Sequence, residues 1–275
     1  MKMFNKLVLA GAASAALSSC AAIKDAIDSI PDTPQPNGAY RSVVVPDLAG
    51  DGFSNVELRI YGKNHVRGES VDIGTLIQNT VTNEPYRLLA DREEKGVKSR
   101  FKEEGVARIY KNHYSAVLAA HAEKQTHNHV VNRVDQTKVL AVQGLATRTE
   151  DMAKFKGTYL YDGVAFTGKD KEGRLSYSVD FDNRTGNGVV RWTGSNEELK
   201  LHAGSLTQFA PDDAFQAQWG VQGAAVQDGN PGLYRVGLFG PKADEIAGSA
   251  QVGFGGNIRH IGLGGRKIPF LKKDK

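Results

Sequence analysis

At 275 residues, 31 of them glycine and only one cysteine, the chain can bury two separate cores and cannot be held by a disulfide framework. The formal charge of +4 comes from basic residues dispersed along the chain, apart from the tail "RKIPFLKKDK", so a nucleic-acid partner has no sequence support. Frequent glycine with scattered aromatics suits many short strands, and a mainly β protein with minor α content is expected.

The chain opens "MKMFNKLVLAGAASAALSSC", with Lys2 and Lys6, then a run of Leu, Val and Ala, then Leu17-Ser18-Ser19-Cys20. A basic flank and an apolar run too short to span a bilayer make residues 1–19 a signal peptide. Leu17 three places before Cys20, with small residues between, resembles the bacterial lipobox, which implies that Cys20 is acylated and becomes the first mature residue. Acyl chains contribute about 0.8 kcal/mol per buried CH2, so lipid on Cys20 holds the protein at a membrane without a spanning helix. Residues 20–41, polar and carrying Pro31, Pro34 and Pro36, read as an extended tether.

Residues 42–154 read as an N-terminal β-rich domain with a short helix. "SVVVPDLA", "NVELRIYG" and "VARIYKNHY" have strand character, "TLIQNTV" and "EPYRLLADREEK" are ambiguous, and "YSAVLAAHAEKQ" (Tyr114–Gln125) is predicted as the helix from its Ala, Leu, Glu and Lys content. That helix would bring His113 and His121 to nearby turns, and "HNH" would put His127 and His129 on one face of a strand. Imidazoles so grouped, His127 and His129 above all, are the candidate ligands for zinc or haem iron. The competing reading is exposed polar histidines, because no Cys or Glu at metal spacing completes a set. A polar stretch, "TRTEDMAKFKG", marks the boundary.

Residues 155–265 carry eight segments at nearly even spacing, bounded by Gly, Asn, Asp or Pro. In "LSYSVDF", Leu175, Tyr177, Val179 and Phe181 alternate with Ser176, Ser178 and Asp180. This pattern predicts an eight-stranded antiparallel up-and-down β-barrel with a side-chain-filled interior, followed by a basic tail at 266–275. The glycine-dense "QVGFGGNIRHIGLGG" invites a dinucleotide-loop reading, but Ile258 stands where the third glycine belongs and another strand follows. Its glycines are expected to turn the chain and bend the closing seam, with His260 packed structurally. No G-x-S-x-G, Walker or H-E-x-x-H sequence occurs, and solvated alternation accounts for Asp180 and Asp182, so no enzyme is expected.

"GRLSYSVDF", "GNG" at 186–188, "LYRVGLFGPKADEIAGSAQV" and "NIRHIGL" resemble the C-terminal barrel of the factor H binding protein family, and "KSRFKEEGVARIYKNHYSAVLAA" is similar to its N-terminal domain. The resemblance covers about Lys98 to Leu263. It implies a lipid-anchored outer-membrane protein on the surface of a Gram-negative cell, exported by a surface lipoprotein assembly modulator (Slam) translocator. Transferrin-binding lipoproteins, haem-binding hemophilins and a nematode-colonisation lipoprotein of symbiotic enterobacteria share the barrel type. Two family glutamates that grasp factor H fall on Asn230 and Gln251, which removes the charge from that contact. Asn230, Gln251 and Glu245 are the candidate ligand-contacting residues. The expected function is non-catalytic binding of a host protein or surface ligand in colonisation, with factor H binding and haem or metal scavenging as alternatives. No cofactor beyond the lipid on Cys20 is expected unless haem is the ligand.

Overall fold

The computed structural model describes residues 40–46, 48, 53–94, 96–212, 214–216, 218–254 and 257–269. The signal peptide, Cys20 and the tether up to residue 39 lie outside the described residues, as do residues 270–275.

Strands β1 (Ser42–Val44) and β4 (Ser70–Asp72) pair as a small cover. Six more strands form an antiparallel sheet: β2 (Phe53–Ile60), β3 (Lys63–His65), β5 (Thr80–Glu94), β6 (Val97–Lys111), β7 (Ser115–His127) and β8 (Val130–Gly144), in the order β3-β2-β5-β6-β7-β8. Tight turns with two successive positive-φ residues, Tyr61-Gly62 and Asn128-His129, join β2 to β3 and β7 to β8. Such turns match the twist of paired strands.

One sheet face packs Leu58, Ile60, Ile109 and Leu118 against Val43 and Val71 of the cover. The other packs Tyr110, Val117, Ala119 and Val142 against Phe166, Phe239 and Ala247 of the second domain. This two-sided burial corrects the helix expected at Tyr114–Gln125, which is strand β7. Its first eight residues are all buried, with Ala116, Leu118 and Ala120 toward the cover and Val117 and Ala119 toward the barrel. A strand buried on both faces has no polar alternation, so its Ala-Leu run reads as helix by propensity while pairing with β6 and β8 decides otherwise. The one helix among the described residues is α1 (Thr149–Met152), between the sheet and the barrel.

The barrel comprises β9 (Thr158–Thr167), β10 (Lys171–Asp180), β11 (Thr185–Trp192), β12 (Glu198–Phe209), β13 (Gln218–Gln227), β14 (Asn230–Phe239), β15 (Glu245–Phe254) and β16 (Asn257–Lys267), closed by β16 on β9. Along β10 the expected alternation holds, with Leu175, Tyr177 and Val179 buried and Ser176 and Ser178 half-buried. Inward-facing Leu175, Val190, Leu199, Val221, Val236 and Ile261 fill the interior.

The glycines of β16 do more than bend the seam. A Cβ at Gly264 would enter the Tyr110 ring, and one at Gly262 would enter the Phe166 ring. They keep the barrel wall bare where aromatic rings lie against it. Gly264→Ala is therefore expected to lower stability by about 1–3 kcal/mol through overpacking. At Gly253 an added Cβ meets only Pro231 O at 3.6 Å, so Gly253→Ala is expected to stay within about 0.5 kcal/mol. Urea denaturation of the two variants checks this; equal midpoints would remove the docking role.

Candidate functional site

Two buried ionisable side chains pin the sheet to the barrel. Arg108, fully buried in the apolar "VARIY" of β6, donates from Nη1 to Thr167 O (3.0 Å) and Lys171 O (2.9 Å), from Nε to Asn83 Oδ1 (3.0 Å) and from Nη2 to Glu172 Oε1 (2.5 Å). It thereby fixes the β9–β10 hairpin over the sheet. Glu245, at the start of β15, accepts from His113 N–H (2.9 Å), Tyr114 N–H (3.0 Å) and Ser115 Oγ (2.8 Å) of the β6–β7 turn. Both of its carboxylate oxygens are thus engaged inside the molecule.

Of the other two candidate ligand contacts, Gln251 lies on the barrel exterior and Asn230 at the β13–β14 hairpin end, half-buried. Asn230 Nδ2 donates to Gln227 O (3.2 Å) and Asp228 O (3.4 Å), closing its own β13–β14 hairpin. Gln251 is exposed, paired between Leu233, itself 70% exposed, and His260. His260 is partly buried, and burial, with Lys138 adding to it, holds its pKa below the usual value.

The histidines do not assemble as the helical reading requires. His113 sits in the β6–β7 turn, edge-on to Tyr114 at 4.5 Å, while His121 is buried on β7 with Nδ1 3.1 Å from Thr137 Oγ1. Thr137 Oγ1 also accepts from Gly168 N–H at 2.9 Å. His127 ends β7 with Nε2 2.6 Å from Ser99 Oγ, whereas His129 is the left-handed second residue of the hairpin turn at φ 63°. The expectation that both share a strand face is corrected on this point, because a two-residue turn begins after His127. Among the described residues no three His, Cys, Asp or Glu side chains cluster to hold a metal ion. Asp180 accepts from Asn183 within its own turn, and Asp182 accepts from Gly157 N–H, tying that turn to the segment before β9.

Between the exposed half of the sheet and the barrel lies a groove of about 1710 Å³. Its floor includes Arg59, Arg87, Glu104 and Lys124, and its far wall is the β9–β10 hairpin with Ile258 and Arg259 of β16. Glu104 is ringed by cations: Lys102 at 2.7 Å, Arg87 at 3.1 Å and Lys124 at 3.6 Å. The hydrogen bond from Lys102, then the charges of Lys102 and Arg87, hold its carboxyl below the usual range. Sequence reasoning missed this groove, since strand pairing, not spacing, assembles its floor. Arg108 left one signal, an arginine inside an apolar strand, where a charge is buried only with partners.

Residues 150–250 match the family model described as factor H binding protein, C-terminal, a span that runs from α1 into β15. Among solved structures, the isotype 1 transferrin binding protein B of serogroup B Neisseria meningitidis aligns at 15% identity with a TM-score of 0.36, over 66% of this chain and 35% of that one. The chain thus spans about a third of that protein's length.

Burial raises the Glu245 carboxyl from its usual 4.5 to about 7, outweighing the three hydrogen bonds that favour the anion. An acid with a raised folded-state pKa stabilises the fold fully below its unfolded value and loses that contribution as pH rises through the folded value. The stability difference between the natural chain and Glu245→Gln is therefore expected to shrink from pH 4.5 to 7.5, by on the order of 3 kcal/mol. Comparing the variant with the natural chain separates Glu245 from His121 and His260, whose pKa values burial lowers and which act in the opposite sense. Parallel pH profiles for the two proteins would refute it.

Proposed function

From a C-terminal region that matches the factor H binding protein family model over residues 150–250, we propose that the chain is a surface-exposed outer-membrane lipoprotein that binds a host ligand without catalysis. Its role in this reading is host interaction and colonisation. The observation that carries the proposal is the family match over residues 150–250. The lipobox-like Leu17-Ser18-Ser19-Cys20 supports it by supplying an anchor, and the proline-bearing tether supplies distance from the membrane. Lipid on Cys20 is the one attached group, and a Slam-type translocator carries the chain to the cell surface.

Factor H binding is a second reading, favoured by the description of the matched family. Against it, Asn230 is engaged in its own hairpin, Gln251 is uncharged, and Glu245 is turned into the sheet–barrel contact. A partner at positions 230 and 251 meets no acid, and so none of the charge-assisted hydrogen bonds that acids would offer. Pull-down from serum distinguishes the readings.

Protease treatment of intact cells is expected to remove the chain, and Cys20→Ser is expected to release it from the membrane fraction. Survival of the natural chain under protease, beside a surface control that is cleaved, would overturn surface display.

A further inference from the structure

The pairing register of the N-terminal sheet lines up five charged side chains from five consecutive strands. Arg59 stands opposite Arg87, Arg87 opposite Glu104, Glu104 opposite Lys124, and Lys124 opposite Arg133. All five line the groove. With neighbouring strands about 4.8 Å apart, the row is roughly 20 Å long and runs across the strands.

Two of these four juxtapositions put like charges directly opposite each other, which destabilises a sheet. The row has one acid, and that acid is also shared with Lys102. Arg59 and Arg133 are exposed and have no carboxylate within ion-pair distance among the described residues. Across the groove, Lys169 and Lys171 face the same space, paired with Glu123 and Glu197. Asp135 and Asp170 also line the groove, which brings its carboxylates to four against seven cations, so a net positive charge remains, with Arg59 and Arg133 at the two ends of the row.

We infer that this row binds a linear sulfated glycan laid across the strands. Sulfates repeat along such a polymer and stay ionised at every physiological pH, and a guanidinium takes a tetrahedral oxyanion through two parallel hydrogen bonds. The sugar hydroxyls remain hydrated in an open groove. An acidic peptide fits less well, because successive side chains of an extended chain point to opposite faces, so its acids recur on one face only about every 6.7 Å against a row spaced by about 4.8 Å. A single-stranded nucleic acid needs aromatic faces for its bases. The lining aromatic, Tyr86, is only 4% exposed, with its hydroxyl donating to Glu103 Oε1 at 2.7 Å.

The inference names the ligand class for the host-binding reading and rests on it for its biological setting, but its test is independent of surface display. Calorimetry of the detergent-solubilised full chain with a heparin octasaccharide is expected to give saturable binding that weakens steeply with salt. Arg59→Glu and Arg133→Glu, both at exposed positions, are each expected to weaken it at least tenfold. Lys200→Glu, exposed on the barrel, is expected to change it less than twofold, and the desulfated octasaccharide to bind at least tenfold more weakly. No binding, unchanged affinity in both arginine variants, or equal affinity for the desulfated sugar would each overturn the inference. Equal affinity for a poly-glutamate peptide or single-stranded DNA of matched charge would overturn it in favour of that class. Failure here with protease-sensitive display intact removes the glycan and leaves the surface lipoprotein, whereas the converse result removes the display and leaves the site.

Discussion

Packing of the sheet against the barrel wall organises both halves of the molecule, and it depends on Tyr110 lying over Gly264, in one buried cluster with Phe166 and Phe239. Apolar burial supplies the strength of that contact. Arg108 and Glu245 supply something different. Three of the four acceptors of Arg108 lie on the barrel, and all three donors to Glu245 lie on the sheet. Apart, each group is hydrated; docked in register, each has its hydrogen-bond partners; docked out of register, each is buried without them at a cost of several kcal/mol. The two groups select one alignment of sheet on barrel more than they strengthen it.

That alignment creates the groove through a mismatch in length. Strands β5, β6 and β8 run 15 residues, while β9, β10 and β14 to β16 run 10 or 11. At about 3.3 Å per residue the sheet strands outreach the barrel strands by roughly 15 Å. The covered end carries the unbroken apolar run of β7, and polar residues return along the strand from Glu123 onward. At the far end of β8, the β12–β13 connection closes the strand edge, with Val142 N–H donating to Ala214 O at 2.7 Å. Near the β7–β8 hairpin the face stays open, and the charged row sits there.

What the sequence revealed follows from the same geometry. Each barrel strand has one wet face and one dry face, so β10 shows period two and its turns carry Gly, Asn and Asp; the eight strands were legible one by one. In β7 both faces are dry, the alternation vanishes, and only partners far away in sequence distinguish strand from helix. "HNH" misled for a local reason, since Asn128 and His129 adopt left-handed conformations that any reading of side-chain faces ignores. Glu245 was visible as an acid, but its burial depends on a turn more than a hundred residues away. The charged row is the extreme case: Arg59 and Arg133 are 74 positions apart and meet one array only through four successive registers.

The row also explains why recognition lies on the overhang and not in the barrel. Two unit charges about 5 Å apart repel by roughly 1 kcal/mol or less in water but by many times that in a dry interior. On the open face the sheet bears two like-charged pairs at small cost, because the Leu58–Ile60–Leu118 core beneath holds the strands together. Moved inside the barrel, the same side chains would displace Leu175 or Val236 and incur full desolvation. The residual repulsion then works in favour of binding. A polyanion that neutralises the row removes a strain the folded sheet already carries, so part of its affinity comes from relief of Arg59 against Arg87 and of Lys124 against Arg133. Such a ligand stabilises the sheet as it binds, and this coupling follows from the register alone.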